Sequence, residues 1–141
     1  MIVKHSVATL GVLIVAGIAL ATFPARAGDP AKEAATASQH AGLAAKAPDM
    51  KTTQMHLHHV INCLVGPGND YFDPGEANPC KDQGAGAIPD TTDKYKKQQL
   101  EKALTKARKG LKVIARDWPR SQRYAVEAQA ELAPVVGTAS K

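Results

Sequence analysis

The chain has 141 residues, 44% of them apolar and only 4% aromatic, with 18 Lys and Arg against 13 Asp and Glu. The net charge of +5 is too small to argue for a nucleic-acid partner. Its cations gather between Lys94 and Arg116, interleaved with acids, which is the pattern of a solvated helical face.

Lys4 and His5 open a short positive region, and Val7 to Ala21 is an almost unbroken apolar run. Ala25 and Ala27 then match the small-residue A-x-A cleavage pattern. Residues 1–27 therefore read as a cleavable secretory signal. The apolar run is shorter than the ~20 residues of a spanning helix, so no stable membrane anchor is expected after cleavage. The remainder, 28–141, suits a single domain in the periplasm or outside the cell.

Asp29-Pro30 supplies an N-cap and a first-turn proline for an alanine-rich helix that reaches about Ala47. Pro48 breaks it, and Asp49 caps a second helix from about Met50 to Val65. Met50, Leu57, Val60, Ile61 and Leu64 form the apolar face of that helix. The short break implies an antiparallel αα-hairpin. Gly66-Pro67-Gly68 stops the second helix.

Residues 66–90 show no helical or strand period and are dense in Gly, Pro, Asn and Asp. A connection this long has to be functional or pinned. Cys63 and Cys80 are the two cysteines, and in an exported chain such a pair reads first as a disulfide. Closing that loop is worth about 3 kcal/mol in the chain-entropy account. With no C-x-x-C-H and no G-x-x-x-x-G-K-[ST], neither covalent haem nor a nucleotide is expected.

Thr91-Thr92-Asp93 offers caps for a third helix with the stripe Leu100, Ala103, Leu104, Ala107, Leu111, Ile114 and Trp118, ended by Pro119. Ser121 is the expected cap of a fourth, carrying Tyr124, Ala125, Ala128 and Leu132, with Pro134 closing it and 134–141 fraying. The predicted fold is all-α: a small antiparallel bundle of two αα-hairpins with a long, disulfide-tethered loop.

Chemistry concentrates in the second helix. At about 100° per residue, His56 and His59 lie roughly 60° apart on one flank of its apolar face, and Cys63 follows on the same flank. His58 projects from the opposite flank. The hairpin turn centres near Pro48-Asp49, so His40 falls level with His56. If His40 faces its neighbour, three imidazoles converge. Imidazole suits Zn, Cu or Ni, and three nitrogens with one open position make a workable site. The predicted ligands are His40, His56 and His59, with His58 and Met55 as accessories. Asp70, Asp73, Glu76 and Asp82 do not match the EF-hand spacing, and turn chemistry accounts for them without calcium.

The run HLHHVINCLVGPG, followed by NPC and GAGAIPD, resembles a type of small exported bacterial protein with no activity attached to it. The leader, the alanine-rich helices and the helical histidines are similar to the small periplasmic metal-binding proteins of the histidine-rich helical-bundle kind. The likeness covers the first two helices. It departs in number, because those proteins carry histidines along every helix and 28–141 holds four. The resemblance implies metal binding at one site, not buffering at many. The other expectation is an interaction protein that docks an unidentified protein partner through the 66–90 loop and the basic third helix. No pair of mutually supporting catalytic groups is evident, so no enzyme is expected.

Overall fold

The computed structural model describes residues 28–137; the expected leader, 1–27, lies outside the described residues, as do 138–141. Five helices follow in order: α1 (Pro30–Ala45), α2 (Met50–Val65), α3 (Ala87–Asp90), α4 (Lys94–Val113) and α5 (Trp118–Val136). There is no strand among the described residues. The fold is all-α, as the sequence implies.

Each of the four long helices starts at an aspartate that satisfies an orphan backbone donor. Asp29 accepts from Lys32 N at 3.0 Å, Asp49 from Thr52 N at 2.7 Å, Asp93 from Lys96 N at 3.0 Å and Asp117 from Arg120 N at 2.9 Å. The first three caps fall where the sequence puts them. The fourth corrects it. Trp118 opens α5 instead of ending the third helix, because Pro119 sits in the first turn, where a missing N–H costs nothing. Ser121, the expected cap, lies buried inside α5 with no hydrogen-bond partner for its hydroxyl.

Pro134 also fails to close its helix. α5 runs on to Val136, and Gly137 N still donates to Ala133 O at 3.0 Å. Burial of Val135 in the core favours the last turn enough to offset the bond that Pro134 cannot make. Residues 134–136 are therefore helix, not frayed tail. The 66–90 segment contains the single turn of α3, which was not expected either.

α1 packs against both α2 and α5, α5 against α4, and α4 back against α2. Two antiparallel hairpins thus close into a four-helix bundle. The inward stripe of α1 is Ala34, Ala37, Ala41 and Ala44, all fully buried. Leu57, Val60 and Leu64 of α2, Leu100 of α4 and Leu132 of α5 supply the bulk around it. Met50, counted on the apolar face of α2, is half exposed, and Thr53 takes the inward position. Thr53 Oγ1 accepts from Trp118 Nε1 at 2.9 Å, and Gln122 Nε2 donates to Ala47 O at 3.0 Å, joining the two hairpins at one end.

The loop is pinned three times to α2. The Sγ atoms of Cys63 and Cys80 are at bonding distance, 2.03 Å. Asn62, fully buried, donates to Asp73 O at 3.0 Å and to Ala77 O at 3.2 Å, and accepts from Asp73 N at 2.8 Å. His58 Nδ1 pairs with Asp73 Oδ2 at 3.1 Å.

Where α2 meets the loop, Gly66 has φ +68° and a Cβ there would overlap Ala85 O. Replacing Gly66 with alanine is therefore strained twice, by conformation and by contact with backbone that cannot rotate away. Gly66→Ala should lower the free energy of unfolding by about 2 kcal/mol or more in urea titration. A loss under about 0.5 kcal/mol would show that the junction is not under this constraint.

Candidate metal centre

The alanine stripe decides how near α1 comes to α2. One-carbon side chains let helix axes approach to the short end of the usual range, about 8 Å. His40 is the residue before Ala41 in this stripe, and His59 and His56 stand on the facing side of α2. The Asp49-capped turn fixes the register, so that residues equally distant from it come level.

The three rings meet. His40 Nδ1 lies 3.1 Å from His56 Nδ1 and 3.3 Å from His59 Nδ1. Ring centroids are 5.2 Å (His40–His56), 4.9 Å (His40–His59) and 5.6 Å (His56–His59) apart. One ligand atom from each residue lies within 4.8 Å of the others, an arrangement that can hold a metal ion. His59 is buried and the other two are half-buried, so the cluster sits at the rim of the helix interface.

Hydrogen bonding among the rings alone leaves this arrangement unfinished. An imidazole nitrogen in the ring plane has either one proton or one lone pair. His40 Nδ1 faces two other Nδ1 atoms, so it makes one good linear bond and leaves the second contact short of a proton. A cation bound to all three lone pairs removes the conflict. For zinc bound to nitrogen at about 2.0 Å, tetrahedral ligands are about 3.3 Å apart, close to both Nδ1 separations.

The protonation state suits a ligand. Burial pushes the His40 imidazolium down to a pKa of about 4, with the nearby His59 and His56 adding to the effect. Burial also lowers His56. It lowers His59 too, with His56 next in effect, while the carboxylate of Glu76 pulls it the other way. At neutral pH all three rings are neutral and their lone pairs free.

The three histidines that the sequence brings level do converge in the structure. His58 is held by Asp73 and points away from the cluster. Met55 lines a surface cleft together with Glu76. Of the loop acids, Asp73 is engaged by His58 and by Gly75 N at 2.9 Å. Among the described residues the loop carboxylates do not gather into a ligand group. The residue that sequence reasoning missed is Asn62. Its signal was present: a poor helix former inside an otherwise apolar stretch, Val60 to Val65, where it needs a partner.

Comparison with protein-family models, with curated proteins and with solved structures gave no match. The reading of the site therefore rests on its own geometry.

The depressed His40 value fixes a direction for acid stability. Between about pH 6.5 and about pH 4 the unfolded chain binds more protons than the metal-free folded one. Stability is thus fully present above pH 6.5 and falls as the pH drops towards 4, with no further loss below. His56 and His59 act with the same sign. Ring-proton NMR of metal-free protein should give His40 a midpoint about two units below ordinary histidine. His40→Gln should flatten the acid limb of a plot of melting temperature against pH. An ordinary His40 midpoint, or an unchanged slope, would contradict the burial of this ring.

Proposed function

We propose that this is an exported protein that binds one transition-metal ion through His40, His56 and His59. The observation that carries the reading is the convergence of three imidazoles, with His40 Nδ1 at 3.1 and 3.3 Å from its two partners. The two His40 separations suit zinc in tetrahedral coordination, with the fourth position left to water or to a group from outside the chain. Nickel and copper suit the same donors in other geometries. Binding, not turnover, is the proposed activity. Export is supported by the leader pattern of 1–27 and by the bonded pair Cys63–Cys80. Among the described residues no helix is long and apolar enough to cross a membrane.

Isothermal titration of the metal-free protein with Zn²⁺, Ni²⁺ and Cu²⁺ tests this directly. One equivalent should bind with a dissociation constant in the micromolar range or below. His40→Ala, His56→Ala and His59→Ala should each weaken binding by about tenfold or more, since each removes a ligand. His58→Ala should stay within about twofold, because that ring is held by Asp73. Millimolar affinity, or affinity indifferent to the three ligand substitutions, would sink the reading.

One observation favours a second activity beside the first. The loop and α4 enclose a cleft of about 510 Å³ lined by Val65, Tyr71, Ile88, Pro89, Lys97 and Leu104, among others. Arg108 stacks on Tyr71 at 3.5 Å from the ring centroid and stiffens its wall. Lys97 in the lining and Arg108 on its Tyr71 wall, set against Glu101 as the one acid there, suit an acidic protein segment that inserts one apolar side chain. Such a partner should be captured by the wild-type protein and released by Leu104→Lys or by 0.5 M salt. Capture that survives both changes would exclude the cleft.

A further inference from the structure

A second cluster lies two turns before His40 on the same helix. Glu33 is fully buried, and its Oε1 accepts from Gly86 N at 2.9 Å. Its Oε2 is enclosed with no N–H donor to it, and the carboxyl faces that of Asp90, with which it can share a proton. Asp90 of α3 lies beside it, with Oδ2 accepting from Ala85 N at 2.7 Å. Asp29 adds a third negative charge nearby. Among the described residues no Lys, Arg or His forms an ion pair with Glu33 or Asp90. A buried carboxylate beside a second carboxylate and without a cation is costly, and burial pushes Glu33 towards its protonated form.

Gly28 is packed into this cluster. A Cβ at Gly28 would overlap Asp90 Oδ2, so its Cα already touches that carboxylate. A Cβ on Gly84 would lie 2.8 Å from Gly28 Cα and 2.9 Å from Glu33 Oε1, so these two groups flank one point. Asp29 N donates to Gln83 O at 3.1 Å and ties this end of the chain to the loop. The Gly28 nitrogen is one bond, about 1.5 Å, from that Cα. Gly28 is also the residue after Ala27, where the leader pattern sets the cut.

We propose that the Glu33–Asp90 carboxyl pair is a receptor for the chain's own α-ammonium group, set free at Gly28 by removal of the leader. Hydrolysis of the Ala27–Gly28 peptide bond consumes one water, leaving a carboxylate on Ala27 and an ammonium on Gly28. Before the cut, the Gly28 nitrogen is a neutral amide with one proton to give. Afterwards it carries a positive charge and three donors. One donor reaches Asp90, and another satisfies the enclosed Oε2 of Glu33, so the pair no longer needs its proton. The raised Glu33 carboxyl, pushed up to about 7 chiefly by burial, is the mark of a site lacking its cation. A side chain at 28 would displace the Asp90 carboxylate, and only a chain that starts there puts its charge against Asp90. Removal of the leader thereby completes the fold at the point where the loop, α1 and α3 meet.

The proposal rests on the export reading for the position of the cut and is independent of the metal. The described fold lies within 28–137, so a chain released at Gly28 from a cleavable fusion retains it and tests the receptor by itself. With ¹³C-labelled glycine, the Gly28 α-amino group of that chain should titrate about one unit or more above the ordinary 7.7–8.0. One extra alanine ahead of Gly28 should lower the melting temperature by about 4 °C or more near pH 7. In Glu33→Gln or Asp90→Asn the same extra alanine should cost little, because the receptor is already lost. An α-amino group that titrates as a free amine overturns the proposal, and so does an extra alanine that is harmless or that costs the same in either variant. Should a variant fail to fold, the titration of the unsubstituted chain decides. The intact mass of the protein recovered after export is the separate test of the cut. A start other than Gly28 overturns the link to processing, whatever the released chain shows.

Discussion

The bundle depends on how closely α1 can approach its neighbours. Four fully buried alanines, Ala34, Ala37, Ala41 and Ala44, line its inward stripe, and each presents a single carbon to α2 and α5. That stripe trades bulk for proximity. An alanine buries much less apolar area than a leucine, at roughly 25 cal/mol per Å². The gain is short distance between backbones, and short distance allows polar side chains on the rims of the interface to touch. His40 reaches His56 and His59 because of it, and Glu33 is sealed by it. A leucine in the place of Ala37 or Ala41 would push the helices apart and open both clusters together.

A thin core has a second consequence. Hydrophobic burial does not hold the 66–90 segment, which contributes mainly Phe72, Cys80, Ala87 and Ile88 to the apolar cluster. Polar and covalent links to α2 hold it instead. Asn62 binds both a backbone donor and backbone acceptors of the segment, the work that a strand would do for an ordinary connection. His58 and the disulfide add a second and a third link, and the second explains why a run of histidines divides its labour. His56 and His59 face α1, while His58 faces the loop.

Much of this was legible in the sequence because it depends on local rules. Asp-capped starts, a short αα turn and the 100° step of a helix are enough to bring His40 level with His56 and to separate His58 from them. What was not legible depends on tertiary competition. Pro119 and Pro134 were read as stops, yet a proline in the first turn is harmless and one near the last turn is outweighed by burial of Val135. Trp118 fits the stripe of the helix before it as well as the start of the helix after it. The Asp117 cap and Pro119 in the first turn place it in the second, and its bond to Thr53 reaches across 65 residues. Glu33 offered no sign at all, since a glutamate in the first turn of a helix is ordinarily a solvated partner of the macrodipole.

The two polar clusters on α1 pose one physical problem and answer it in opposite ways. Glu33 and His40 are seven residues apart, about 10 Å along the helix, so both lie on the same face. Each gathers lone pairs where water is scarce. The imidazoles answer by refusing protons, with His40 lowered to about 4, and the carboxyl pair by keeping one, with Glu33 raised to about 7. Their pH effects therefore oppose each other. The histidines lose stability as the pH falls from 6.5 to 4, whereas Glu33 loses it as the pH rises from 4.5 to 7. Without cations, no pH in that window suits both. A cation at either cluster removes its half of the conflict, a metal ion among the imidazoles or an ammonium between the carboxyls. Each would bind the folded chain in preference to the unfolded one and so stabilise it by mass action. A small fold with little apolar area to bury would thus gain stability from either cation, because each would bind where lone pairs are gathered away from water.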